Sequence, residues 1–323
     1  MGENDWPVEP ADAGARLDKF LAAPGRLGSR AKAFAALERG KVFLNGSEAG
    51  AADAARRMAA GDTVRVWADR PGSAKPRRPV TQTAGDLAIV YEDQALLVIN
   101  KPAGLLTVPL ERKGAAPSVQ SQIEIYLRPF GKRRPFVVHR IDQDTSGLVV
   151  FAKDAATQGR LKAQFKRREP ERVYLAVVYG HPTPRDGQWR DHLVWDEKAL
   201  IQKETHPRDP RAKEAICEYQ VVEEFAATAL IEVRLYTGKR NQIRLQARLR
   251  GHTLVGERRY VFGPESLRPI AFPRQALHAW RLGFRHPEDG TLLRFEAPLP
   301  ADMETLLATL RPPQPTGRRA SRG

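Results

Sequence analysis

The stretch from Phe136 to Lys153 (Phe-Val-Val-His-Arg-Ile-Asp-Gln-Asp-Thr-Ser-Gly-Leu-Val-Val-Phe-Ala-Lys) constrains the fold more than any other part of the chain. Its apolar ends, Phe136–Val138 and Leu148–Ala152, are short and β-branched, which predicts buried strands rather than helix. Between them His139, Arg140, Asp142, Asp144, Thr145, Ser146 and Gly147 crowd into one polar loop. Reactive groups held between stiff apolar strands are a common mounting for an active site. Asp142 is the candidate nucleophile.

A polyanionic partner follows from the charge: Lys and Arg outnumber Asp and Glu 53 to 38, for a net +15 and a sequence pI near 10.2. That balance points to nucleic acid or an acidic membrane surface. The one cysteine, Cys217, excludes an internal disulfide and any Cys-rich metal site, and suits a reducing cytosol. Met1-Gly-Glu-Asn-Asp-Trp6 is acidic and lacks the apolar core of a secretory signal, and no run approaches the roughly 20 apolar residues of a membrane helix. A soluble, cytoplasmic, monomeric protein that binds RNA or DNA and no membrane is the expectation. At 323 residues the chain has room for about two domains.

The first of these is expected over residues 14–68. Arg16-Leu-Asp-Lys-Phe-Leu21 opens a short amphipathic helix, and Ser29 is placed to cap a second one that Gly40 ends. On that second helix Phe34 and Leu37 are expected inside, with Arg30, Lys32 and Arg39 outside. Lys41–Leu44 and Thr63–Trp67 read as strands, with Asn45-Gly46 a turn between them. This order resembles the S4 RNA-binding domain, whose pattern runs Arg-Leu-Asp-x-Phe-Leu, Ser-Arg, Gly-x-Val-x-(Val/Leu)-Asn-Gly, then Gly-Asp-x-(Val/Ile). The resemblance implies RNA contacts from Arg16, Ser29, Arg30, Lys32, Lys41 and Asn45. Residues 69–83, rich in Pro, Lys and Arg, read as an extended basic linker, and residues 312–323 as a disordered basic tail.

The second domain is expected over residues 84–311. Leu87–Tyr91 and Leu96–Asn100 pair as strands, and a helix after Ser118 places Val119, Ile123 and Leu127 on one face. Asp154 caps a helix whose buried stripe is Leu161 and Phe165. In the strand Val173–Tyr179, alternation puts Tyr174 and Tyr179 on opposite faces. His181–Pro210 reads as a long excursion with short strands. Further strands follow at Tyr219–Val222 and Leu230–Tyr236, then a helix ending at Gly251, a hairpin around Asp289-Gly290 and a helix from Met303 to Leu310.

Taken alone, Asp142 admits several roles. As an anion at neutral pH it can act as nucleophile or base. It can also be a turn residue, with Thr145, Ser146 and Gly147 closing the turn. With Asp144 it can form a metal pair or a glycosidase acid/base pair.

Five motifs in order are similar to those of the RluA-type pseudouridine synthases. They are Tyr91-Glu-Asp-Gln-Ala-Leu-Leu-Val-Ile-Asn-Lys-Pro-Ala-Gly-Leu105, His139-Arg-Ile-Asp-Gln-Asp-Thr-Ser-Gly-Leu148, Arg172-Val-Tyr-Leu-Ala-Val-Val-Tyr-Gly180, Thr237-Gly-Lys-Arg-Asn-Gln-Ile-Arg244 and Leu277-His-Ala-Trp-Arg-Leu-Gly-Phe-Arg-His-Pro287. The resemblance implies an α+β fold: an S4-like unit followed by a catalytic domain with a long mixed, mostly antiparallel sheet flanked by helices. It implies isomerisation of uridine to pseudouridine without cofactor or metal.

Residue by residue, Asp142 falls on the family's catalytic aspartate and Tyr174 on the tyrosine that packs against the target base. Arg244 falls on the basic partner of that aspartate, and Arg140 on the arginine that fills the space left by the flipped base. His139 and Thr145 join Arg140 as expected RNA-facing residues of the loop. Gln143 and Asn241 depart from the family pattern, which more often has a basic residue and a histidine there, and Gly256-Glu257 replaces a usual Gly-Asp. His139, His252 and His278, not at metal-ligand spacing, read as hydrogen-bonded structural residues. The S4-like unit favours large-subunit ribosomal RNA over transfer RNA. The rival readings are a non-catalytic RNA-binding assembly factor and a hydrolase built on Asp142 and Asp144.

Overall fold

The computed structural model describes residues 5–38, 40–67, 82–84, 87–109, 116–128 and 134–312. The expected linker lies outside these residues except for its end at 82–83, and the expected tail lies outside them after Pro312. The chain divides into two compact units, Met1–Arg78 and Pro79–Gly323.

The first unit contains β1 (Asp5–Pro7), α1 (Leu17–Leu21), α2 (Arg30–Glu38), β2 (Val42–Leu44), β3 (Ser47–Ala49) and β4 (Thr63–Val66), with the sheet order β1-β4-β2-β3. Leu17, Phe20 and Leu21 are buried, and the Ser29 hydroxyl accepts the Lys32 amide at 3.2 Å, capping α2 as expected. Phe34 does not point inward: it is 45% exposed, and the buried stripe of α2 is Ala33, Ala36 and Leu37. At 3.6 residues per turn Phe34 lies about 100° round the helix from Ala33, off that stripe.

The second unit is built on one mixed sheet, twelve-stranded among the described residues. Its elements are β5 (Gln82–Ala84), β6 (Leu87–Glu92), β7 (Leu96–Lys101), α3 (Val119–Leu127), β8 (Phe136–Val137), β9 (Ser146–Ala152), α4 (Ala155–Lys166) and β10 (Glu171–Tyr179). There follow β11 (Asp186–Asp196), β12 (Ile201–Glu204), β13 (Lys213–Glu224), β14 (Thr228–Leu235), α5 (Gln242–Leu249), β15 (Leu277–Arg285), β16 (Leu292–Glu296) and α6 (Ala301–Leu310). The order is β12-β11-β13-β14-β10-β15-β9-β7-β6-β5, with β16 on β15 and β8 on β9. Among the described strands β9 and β15 form the parallel pair, and the other pairings are antiparallel.

Helices on both faces explain why the central strands read as unbroken apolar runs. On β9, Val149 and Phe151 pack with Ile123 and Leu127 of α3, while Leu148 and Val150 pack with Leu161 of α4. On β10, Tyr174 and Ala176 share a cluster with Ile243 of α5, whereas Val177 and Tyr179 share one with Met303 and Leu306 of α6. The alternation expected for the two tyrosines is therefore what the strand shows. The span His181–Pro210 differs from expectation, since β11 is an eleven-residue strand. Only Trp189 and Leu193 on it are buried, so its sequence carries almost no period-two signal.

Candidate active site

The loop between β8 and β9 is held from both sides before any substrate arrives. On one side Lys101, fully buried at the end of β7, donates to the carbonyls of Pro102 (2.9 Å), Leu105 (2.8 Å) and Gln143 (2.7 Å). Burial pushes the Lys101 ammonium down to about 7. Three carbonyls at these distances nevertheless call for three N–H donors, and only the charged form has them. The Thr107 hydroxyl donates to the Ile141 carbonyl at 2.8 Å, and Gln143 Nε2 to the Gly104 carbonyl at 3.0 Å.

On the other side buried Arg274 is gripped by Asp302 (2.7 and 3.0 Å) and donates from Nη1 to the Asp144 carbonyl at 3.0 Å. Ser146 Oγ lies 2.9 Å from His278 Nδ1 on β15. Gly147, at φ +110°, abuts the same strand: a Cβ there would sit 2.2 Å from the Ala279 carbonyl oxygen, so only glycine fits. The turn is closed by the Thr145 amide on the Asp142 carbonyl (3.1 Å). Asp144 contributes its main chain to this frame, and among the described residues its carboxylate forms no ion pair, with Arg140 or any other residue.

Asp142 receives two donors on one oxygen, Asn241 Nδ2 at 2.6 Å and Arg244 Nη1 at 3.1 Å. Arg244 is also clamped by Glu257, Nε to Oε2 at 2.6 Å and Nη2 to Oε1 at 2.8 Å. The Glu257 carboxylate is buried and accepts the amides of Arg258 (3.0 Å), Arg259 (2.7 Å) and Tyr260 (3.1 Å). Burial opposes charge on both partners. Their mutual hydrogen bonds and attraction prevail, raising the arginine's pKa and lowering the glutamate's.

The turn before α5 aims these groups. Thr237 Oγ1 donates to Gln242 Oε1 at 2.8 Å, and Gln242 Nε2 donates to the Ile216 carbonyl at 3.1 Å. Asn241 precedes α5 in the left-handed region (φ 52°), which asparagine tolerates. Its Oδ1 accepts the Tyr260 hydroxyl at 3.1 Å, which fixes the amide so that Nδ2 faces Asp142.

A cavity of about 590 Å³ opens over Asp142. Tyr174, Arg244, Arg140, His139 and Thr145 line it, whereas Tyr179 lines a different one. Tyr174 is buried, only 8% exposed, and burial raises its hydroxyl's pKa, with Arg172 opposing and Asp142 adding to the rise. Arg140 is exposed at the rim. His139 stacks on Phe165 (4.8 Å, 22°) and its Nε2 accepts the Val150 amide at 3.2 Å. Burial, with nearby Arg172, drives its pKa down to about 3, so the ring is neutral. Among the described residues no group of three or more His, Cys, Asp or Glu is arranged to hold a metal ion.

In the first unit, Arg16 (3.1 Å) and Arg30 (2.6 Å) both pair with Asp18. Asn45 is a turn residue, bonded to Asp62 (2.8 Å) and to the Thr63 amide (2.8 Å). Lys32 is exposed and Lys41 half-buried. Sequence reasoning missed Lys101, Thr107, Glu257 and Arg274 as supports of the site. A lysine closing the apolar run Leu96–Asn100 was a usable signal, since a charge there must be paired or hydrogen-bonded. Arg274 had none.

Residues 95–249 match the family model described as RNA pseudouridylate synthase. The chain is 36% identical over 314 residues to "Uncharacterized RNA pseudouridine synthase YlyB" of Bacillus subtilis, covering 96% of this chain and 99% of that one. It is 33% identical over 310 residues to "Ribosomal large subunit pseudouridine synthase D" of Nitrosomonas europaea (93% and 85% covered). To "Dual-specificity RNA pseudouridine synthase RluA" of Salmonella typhimurium it is 37% identical over 218 residues (66% and 93%). Among solved structures, "Human RNA Pseudouridylate Synthase Domain Containing 4" superposes with a TM-score of 0.56 at 22% identity, covering 69% of this chain and 92% of that one, which establishes a shared fold.

Proposed function

This chain belongs to the RNA pseudouridine synthases, a family of RNA-isomerising enzymes, and from that premise we propose that it converts uridines of large-subunit ribosomal RNA to pseudouridine with Asp142 as nucleophile. The observation that carries this reading is the Asp142 carboxylate at the cavity wall, held by Arg244 and Asn241 and facing the same space as Tyr174. Tyr174 offers an extruded uracil an aromatic face. Arg140, exposed at the rim and not tied to Asp144, is free to occupy the gap the base leaves. His139 and Thr145 shape the floor beside them.

The subtype we read is RluA-like, and the first unit, with its two short helices and four strands, we read as an S4-like docking module. Lys32, Lys41 and the outer edge of Arg30 are its phosphate contacts, while Arg16, Ser29 and Asn45 act by keeping the surface in shape. Large-subunit ribosomal RNA is preferred because relatives aligned along more than nine-tenths of the chain carry that substrate in their names. An RNA substrate of this kind is met in the cytoplasm.

The test is tritium release from RNA labelled at uridine carbon 5. Wild type releases tritium, and Asp142→Ala lowers release by at least about a thousandfold. No release by wild type from any cellular RNA rejects the activity, and equal release by the variant rejects the nucleophile. Mapping the pseudouridines lost from a deletion strain separates ribosomal from transfer RNA as the substrate.

A further inference from the structure

Arg172 stands on β10 two residues before Tyr174, lines the cavity that holds Asp142, and is 8% exposed. Among the described residues only its Nη2 finds acceptors, the carbonyls of Leu235 (3.4 Å) and Tyr236 (3.1 Å). Among the described residues its buried Nε–H has no partner, and no carboxylate pairs with it. The other arginines set into the site are built differently: Arg244 is clamped by Glu257 and Arg274 by Asp302. A guanidinium taken out of water without an anion is costly, and orphaned buried donors are rare.

The chain keeps space for this group. At Gly238, in the turn before α5, a Cβ would lie 2.6 Å from Arg172 Nη1. Phe165 lies beside the guanidinium, its ring centre 5.5 Å from Cζ, and Lys162, Lys166 and Arg168 add further positive charge around the cavity.

The missing anion is one the reaction makes. Written for attack on the ribose, an oxygen of Asp142 bonds to C1′ as the C1′–N1 bond breaks. The electron pair of that bond leaves with the base, which becomes an anion with charge spread over N1, O2 and O4. The base then rejoins through C5: C5 bonds to C1′, the C1′–O bond breaks and returns its pair to the carboxylate, the C5 proton departs and N1 gains one. Nothing is oxidised or reduced. Negative charge thus sits on the base only between the two bond changes.

We propose that the Arg172 guanidinium holds the detached uracil as an anion during this interval. The role rests on the reading of the site given above. Bound uridine is neutral, so the interaction strengthens only as the C–N bond breaks and belongs to kcat rather than KM.

The experiment compares full-length wild type, Arg172→Gln, Arg172→Lys and Gly238→Ala on RNA from which wild type releases tritium, made with uridine or with 5-fluorouridine. Consumption of the target nucleotide is followed by mass spectrometry. Arg172→Gln should lower kcat on uridine RNA by about a hundredfold with KM within about twofold, and Arg172→Lys should recover part of the loss. Fluorine stabilises the base anion, so the deficit of Arg172→Gln relative to wild type should shrink to less than about tenfold on fluorinated RNA. Gly238→Ala, which crowds the guanidinium without removing it, should show the same pattern. A deficit equal on both RNAs, a loss confined to KM, an unchanged kcat, or failure of all the variants to fold overturns the proposal. Absence of tritium release by wild type is a separate outcome, and it overturns the reading of the site itself.

Discussion

Glu257 decides where the positive charge beside Asp142 points. Its two oxygens take Nε and Nη2 of Arg244 and leave Nη1 for the aspartate. Three main-chain amides fix the carboxylate in turn, so the guanidinium has one orientation. Glu257→Gln keeps the shape and removes the charge. We expect a stability loss of about 3–5 kcal/mol for breaking a buried pair, read as a lower midpoint in urea. Turnover should fall by roughly a hundredfold because Arg244 loses its fixed direction, and tritium release measures it. Wild-type turnover in Glu257→Gln would show that Arg244 keeps its direction towards Asp142 without the Glu257 charge.

The β9–β15 contact is the corresponding feature at the level of elements. Buried His278 on β15 meets Ser146 at the head of β9, and burial lowers its imidazole from 6.5 to about 4. Between those values the unfolded chain binds a proton that the folded chain refuses, so stability rises with pH across this window. The contribution is complete above about pH 6.5, is lost as pH falls toward 4, and is on the order of 3 kcal/mol. Melting followed by circular dichroism should show that decline, and His278→Gln should flatten it. His139, lowered to about 3, acts with the same sign and leaves a residual slope. Much of this architecture was legible in the chain. The runs of β7, β9 and β10 are apolar on both faces because helices cover both faces, and Ser118 and Asp154 announced α3 and α4 by capping them. Asp142, Tyr174 and Arg244, which line one cavity, each lie in a motif that singles them out. Glu257 and Arg274 are not so marked, since one partner 13 residues from Arg244 or 130 from Asp144 leaves no periodic mark in a sequence. β11 failed for the opposite reason, being a regular strand with too few buried positions to show its period.

Across the whole molecule the net charge of +15 governs how RNA is gathered rather than how it is changed. Lys32 is exposed on α2, and Lys32→Gln should weaken RNA binding, lower the slope of log K against log salt by about one, and leave kcat unaltered. Filter binding between 50 and 200 mM salt is the measurement, and an unchanged slope would remove α2 from the contact surface. The anchors of the Asp142 loop have a consequence in time as well as in space. Arg274 and His278 are synthesised 128 or more residues after the loop segments they hold, and Asp302, which grips Arg274, comes 28 residues later still. While translation is under way the loop can already join β7, but the strand that receives Gly147 and the arginine that bonds the Asp144 carbonyl do not yet exist. Long-range closures of this kind come late in folding. The nascent chain on its ribosome therefore carries Asp142 in a half-assembled site, and catalytic competence arrives only once the last strands and α6 have emerged.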